Sequence, residues 1–217
     1  SPGRAGDLEV TADRILLTGW LAGIHATGND GGAGNIQIRA GRLEVTDGAS
    51  ILSTTGGSGT AGNIEVTANS ILLSGSYANL FYSAISSEAL FGDSTGAAGD
   101  IRINAQSLEV RDRAQIRAGT QGAGNGGNIE VKAESVLIKD GGGIDAYSSG
   151  SGSSGSIDVT AGNVVISGVK DIFAANISAD VGESGSGKGG AIRIATNNLE
   201  VKDGANISET SYGQGDA

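Results

Sequence analysis

The feature that most constrains this chain is a repeat. Units led by glycine open at Gly6, Gly34, Gly62, Gly99, Gly127, Gly155 and Gly190, at spacings of 28, 28, 37, 28, 28 and 35 residues. Each unit carries three short alternating segments. The first reads I-x-I-x-A: Leu8, Ile36, Ile64, Ile101, Ile129, Ile157 and Ile192 recur down the units. Val or Ile follows two residues on, and Ala two further, with Thr196 the one exception. Period two over such a stretch is a strand with one buried face. The second segment pairs Leu43 with Val45 and its equivalents. The third centres on Ile24, Ile51, Ile85, Ile116, Ile144, Ile177 and Ile207, and a Gly/Ser-rich loop closes the unit.

No unit of this size can bury its own apolar face, but stacked copies can. Each strand then pairs in parallel with its equivalent in the next unit, and like side chains form columns. Ile and Val suit such columns because they are stiff and favour extended backbone. The pattern predicts an all-β, single-stranded, right-handed parallel β-helix over residues 1–217. Its seven coils span 6–33, 34–61, 62–98, 99–126, 127–154, 155–189 and 190–217, two of them longer than the rest. No window shows the three-four apolar spacing of a helix, and the motifs of leucine-rich repeats and calcium-binding nonapeptide rolls are absent.

Composition narrows the function classes. Thirty-nine glycines against one proline rule out collagen. The formal net charge of -10, without a basic stretch, disfavours nucleic acid as a partner. With no cysteine and one histidine, His25, a disulfide scaffold and a His/Cys zinc site are excluded, and no cofactor or metal is expected. No nucleophile elbow and no P-loop occurs. The repeat is already running at the first residues and still running at the last, so the chain reads as a piece of something longer. Its neighbouring coils would then be further coils of a parent chain.

The outward positions locate candidate contacts. Glu65, Arg102 and Glu130 should stack as an alternating ladder on the first segment, a device of solvation and register. On the second, Leu16, Leu72, Leu137 and Val165 face out and call for cover or a partner. The two longer units carry aligned inserts at 76–92 and 168–182, which hold every Phe of the chain. One reading makes them loops folded back over Leu72 and Val165. The other makes Phe81, Tyr82, Phe91 and Phe173 a recognition surface for a glycan or a protein, with Trp20 as a further anchor. No catalytic residue is assigned. Asp47, Asp112, Asp140 and Asp203 recur beside Arg111, Arg113, Lys139 and Lys202, but a regular column looks structural, whereas glycoside cleavage needs two carboxylates flanking a cleft.

The motif G-x-I-x-I-x-A-x-x-L-x-V-x-D-G-A-x-I, as in Gly34-Asn35-Ile36 and Leu43-Glu44-Val45 with Asp47-Gly48-Ala49, resembles that of filamentous haemagglutinin-type exoproteins of two-partner secretion. The Gly-rich cyanobacterial proteins of this kind are the nearest in pattern. The resemblance covers residues 6–217. It implies export across the outer membrane of a Gram-negative bacterium through a β-barrel transporter partner, and a non-catalytic fibre, released or at the cell surface, that serves adhesion or aggregation. The N-P-N-G type motifs of the secretion module are absent, so the piece reads as shaft. A purely structural surface-layer or filament component and a polysaccharide-binding or -degrading β-helix are the alternatives.

Overall fold

The computed structural model describes residues 3–182 and 185–211. The end of the last unit, at 212–217, lies outside the described residues. The fold is a right-handed parallel β-helix made of two seven-stranded sheets, each running through the coils in order. The first sheet holds the long strands Leu8–Thr18, Ile36–Thr46, Ile64–Ser74, Ile101–Arg111, Ile129–Lys139, Ile157–Ser167 and Ile192–Lys202. The second holds the short strands Gly23–Gly28, Ser50–Thr55, Ala84–Ala89, Gln115–Thr120, Gly143–Ser148, Asn176–Ser178 and Asn206–Ser208. The coils are numbered 1 to 7 below.

The first and second sequence segments are one continuous strand rather than two. Its register runs Ala12↔Ala40 and then Arg14↔Arg42, so Asp13 and Gly41 drop out of the pairing. At that residue the facing shifts by one: Val10 and Ala12 point in before it, Ile15 and Leu17 after it. The chain therefore turns a corner without breaking its ladder of hydrogen bonds. A second corner follows at Asp47-Gly48, both in the left-handed region at φ 58° and 89°. The same geometry recurs at Asp140-Gly141 and Asp203-Gly204. Asp tolerates it because its short side chain can bond locally, and Gly because it has no Cβ. That accounts for the recurring aspartates as turn formers.

Like stacks on like throughout. Ile36, Ile64, Ile101, Ile129 and Ile157 are at most 1% exposed, and Ile51, Ile85, Ile116, Ile144 and Ile177 face them from the other sheet at 0%. The columns are uncovered at the ends, where Leu8, Leu199 and Val201 are exposed. The loop that closes each coil is held by two polar devices. Asn63 Oδ1 accepts the Asp100 backbone N–H at 2.8 Å, and Asp100 Oδ1 accepts that of Asn128 at 3.0 Å, continuing a ladder that starts at Asp7. Inside, Ser53 Oγ donates to Gly34 O and accepts from Gly62 N, at 2.9 and 2.8 Å. Ser87 repeats this one coil on.

The leading glycines permit a very close backbone contact between successive coils. A Cβ on Gly127 would lie 2.0 Å from Gly99 O, and one on Gly155 would lie 1.9 Å from Gly127 O. Gly6 heads the same column but has nothing within 4 Å of that position. Gly127→Ala is therefore expected to lower the free energy of unfolding by about 1–3 kcal/mol or more, while Gly6→Ala leaves it unchanged. Urea denaturation of the two variants side by side checks this.

Candidate functional site

The outer face of the short-strand sheet loses its repeat in the middle of the molecule. Successive coils place His25, Leu52, Ser86, Arg117, Asp145 and Ser178 in one outward column, and Thr27, Thr54, Glu88, Gly119 and Tyr147 in the next. Apart from the Thr27/Thr54 pair and the serines Ser86 and Ser178, these residue types change from coil to coil, unlike the buried columns beside them. The Arg117 guanidinium lies over the Tyr147 ring, 4.6 Å from its centroid. The Tyr147 ring crosses Gly119, where any Cβ would stand 2.1 Å from it, and its hydroxyl donates to Glu88 Oε1 at 2.7 Å. Ser86 donates to the other Glu88 oxygen. Asp145 Oδ1 accepts from Asn176 Nδ2 at 2.8 Å and from Ser178 Oγ at 2.9 Å.

Two antiparallel hairpins wall this face. They are Ser76–Tyr77 with Phe81–Tyr82 in coil 3, and Val169–Lys170 with Phe173–Ala174 in coil 6. Each folds back toward earlier coils and lies against their corners. Tyr77 and Phe81 crowd Gly48, and Phe173 crowds Gly141. Leu72 and Val165 stay half-buried in their own strand column, so the inserts cap corners rather than the outward faces of those strands. Trp20 reaches up from coil 1 and stacks on Tyr77 at 5.6 Å and 11°, with Phe81 at 5.1 Å. The predicted Glu65–Arg102–Glu130 ladder forms in part. Arg102 pairs with Glu130 at 3.6 Å and with Asp100 at 3.2 Å, while Glu65 accepts from Gln37 at 3.4 Å.

Arg113 joins the hairpins. It stands where coils 2, 5 and 7 have the corner glycine, and it is 7% exposed at φ 68°. Its guanidinium lies 4.1 Å from the Phe173 centroid and 4.7 Å from that of Tyr82. It also donates to the Tyr82 hydroxyl and pairs with Asp171 at 3.6 Å. The neighbouring Asp112 takes Lys170 Nζ at 2.7 Å and the Ser74 hydroxyl at 3.0 Å. A non-glycine residue in this conformation costs about 1–2 kcal/mol, so the clamp is held against local strain.

The result is a groove with two hollows that share Tyr82, Gln115 and Arg117. One, of about 380 Å³, lies among Arg113, Phe173, Asp145 and Asn176. The other, of about 330 Å³, lies among Trp20, Phe81, His25, Leu52 and Glu88. Of the residues named from the sequence, Trp20 and Phe81 meet at one hollow, Phe173 lines the other, and Tyr82 lines both. Phe91 is elsewhere, beyond the far end of its strand beside Gly56, Thr27 and Thr54. Glu88, Arg117, Asp145 and Tyr147 escape a reading centred on the aromatic inserts. Tabulating the outward positions of the third segment, as for the first two, exposes them as breaks in the repeat. Asp112-Arg113-Ala114 in place of Asp-Gly-Ala is the corresponding signal for the clamp.

Burial in the groove sets the electrostatics. Withdrawal from water raises the Asp145 carboxyl above the ordinary aspartate range, against the pull of Arg117, Ser178 and Asn176. The Tyr147 hydroxyl is raised by burial and by the Glu88 charge. For Asp112, burial works upward but Lys170 and Ser74 outweigh it, and its carboxyl is lowered. No family model matches the chain, and neither the curated proteins nor the solved structures give a significant match.

Two expectations follow from this geometry. Arg113→Gly removes the strain together with the clamp, so the melting temperature should stay within a few degrees of the parent. Amide-exchange protection at 76–82 and 169–174 should nevertheless fall. A large drop in melting temperature, or unchanged protection, contradicts the clamp. For Asp145, the native state keeps a proton that the unfolded chain has lost, so its contribution to stability declines as pH rises from about 4. Asp145→Asn should flatten that decline, which thermal melts across the acid range will show.

Proposed function

We propose that this chain is a non-catalytic, glycan-binding stretch of an extracellular β-helical exoprotein, with the groove on the short-strand sheet as its contact. The observation that carries the reading is the placement of irregularity. The scaffold repeats coil after coil, and departs from repetition where two hairpins wall one face. A rigid frame that carries variable side chains and aromatic flanks at one place is how binding surfaces are built. Aromatic rings at both ends with hydrogen-bonding groups along the floor suit a sugar chain, which offers apolar ring faces and hydroxyls. The groove runs along the helix axis from coil 1 to coil 6, about 24 Å at the spacing of paired strands, long enough for several sugar units.

The sequence motif supports placing the chain among filamentous haemagglutinin-type exoproteins. In that setting it would be exported through an outer-membrane β-barrel partner and would serve adhesion or aggregation outside a Gram-negative cell. The carboxylates of the floor favour holding over cleavage. Glu88 is engaged by Ser86 and Tyr147, and Asp145 by Asn176 and Ser178.

Binding of the purified chain to an immobilised glycan panel tests the proposal, with Trp20→Ser and a Tyr82→Ser/Phe173→Ser double variant beside it. Saturable binding should weaken at least about tenfold in each, as expected for loss of an aromatic anchor, with melting curves showing the fold intact. Release of shortened oligosaccharides would overturn the non-catalytic part. Binding that both variants retain would remove the groove as the site.

A further inference from the structure

We infer that Arg117 is the anchor for a carboxylate, so that the groove takes a glycan containing uronic acid in preference to a neutral one. The inference rests on the glycan-binding reading above and names the kind of sugar. Arg117 is the cation in the middle of the floor, lining both hollows. Its guanidinium is held over the ring of Tyr147. Its nearest anionic partner, Glu88 Oε1, stands 3.9 Å away, beyond hydrogen-bonding distance. Its Nε is buried without an acceptor, and among the described residues no hydrogen bond is donated by the outer end of its guanidinium. The side chain is 39% exposed. A guanidinium held over a ring, with its outer donors unused and its side chain partly open to solvent, is a fork that matches the planar geometry of a carboxylate.

The floor's own carboxylates do not fill that role, because Glu88 and Asp145 are already engaged by donors on neighbouring strands. A sugar acid supplies the missing partner: its carboxylate accepts from the solvent-facing end of the Arg117 guanidinium, whose side chain is partly exposed. With a net charge of -10 the protein as a whole repels acidic polymers. Preference for one therefore has to come from a local contact of this kind rather than from general attraction.

The test measures binding of the whole chain to oligomers of galacturonate and glucuronate, to their carboxyl-reduced counterparts, and to a sulfated galactan. The uronate oligomers should bind at least about tenfold more tightly than the reduced ones, the effect of one charge-assisted pair. Arg117→Gln should abolish that difference, and Arg117→Lys should not restore it, since an ammonium lacks the fork. Tyr147→Phe keeps the ring beneath Arg117 and should keep the preference, which separates the fork from damage to the floor. Equal binding of acidic and reduced oligomers overturns the inference but leaves the glycan groove standing. So does an unchanged preference in Arg117→Gln, or tighter binding of the sulfated galactan. Binding of no oligosaccharide at all overturns both.

Discussion

The contact on which everything else depends is that of each coil's backbone with the backbone of the coil before it. In the glycine column the chain passes so close to the preceding carbonyl that even a methyl group would collide with it. This fixes the rise from coil to coil at the spacing of paired strands, and it does so at the loop, together with the backbone hydrogen bonds that link successive loops, such as Ala33 N–H to Thr60 O and Ala61 N–H to Ala97 O. The Asn/Asp ladder and the buried Ser53 and Ser87 then satisfy the loop's own backbone groups, as a buried polar chain requires. Once the rise is set, register follows. A slip by one residue would turn every buried Ile outward, and the columns of Ile, Val and Leu hold it.

A scaffold specified this redundantly can absorb local departures. Insertions enter at the corner between the two sheets, where the ladder is already interrupted. They emerge as hairpins and leave the strands in register on either side. The clamp at Arg113 shows the consequence most clearly. A residue ill suited to the left-handed region is kept at a corner because the coils stacked on either side determine that corner's shape. What the substitution brings is a guanidinium between two rings and a pair of crossed ion pairs, Asp112 with Lys170 and Arg113 with Asp171. Exposed ion pairs contribute little on their own. Here, with Arg113 buried, they hold the coil 6 hairpin against the coil 4 corner, and the Arg113 contact with Tyr82 ties in the other hairpin.

The same logic divides the charged residues into two kinds. Along the long strands, pairs such as Arg39 with Glu9 and Arg193 with Asp158 are exposed and loosely spaced, and they act as a solvated face. In the groove, Glu88, Arg117, Asp145 and Tyr147 come from three adjacent strands. They are partly withdrawn from water, and their interactions are correspondingly stronger. Burial there disfavours the charged forms of Asp145 and Tyr147, and the groove tolerates this because hydroxyl and amide donors stand at the carboxylates.

The buried half of this molecule was legible in the amino-acid order, and the reason is periodicity. When each coil meets the same neighbours, the same residue recurs, so Ile36, Ile64 and Ile101 announce the column that they form. The merging of two segments into one bent strand was not legible, because a corner that shifts the facing by one residue looks the same in the pattern as a loop between two strands. The groove was hidden for the opposite reason. Its residues are defined by not recurring, and residues 59 apart in the chain, Glu88 and Tyr147, meet only because the coils stack. The aromatic composition of the inserts could be read in advance. That Trp20 would lie on Tyr77, that Arg113 would stand between Tyr82 and Phe173, and that Phe91 would be left aside depended on which way each hairpin folds. Those directions are set by packing against corners in other coils, and short-range pattern carries no record of such contacts.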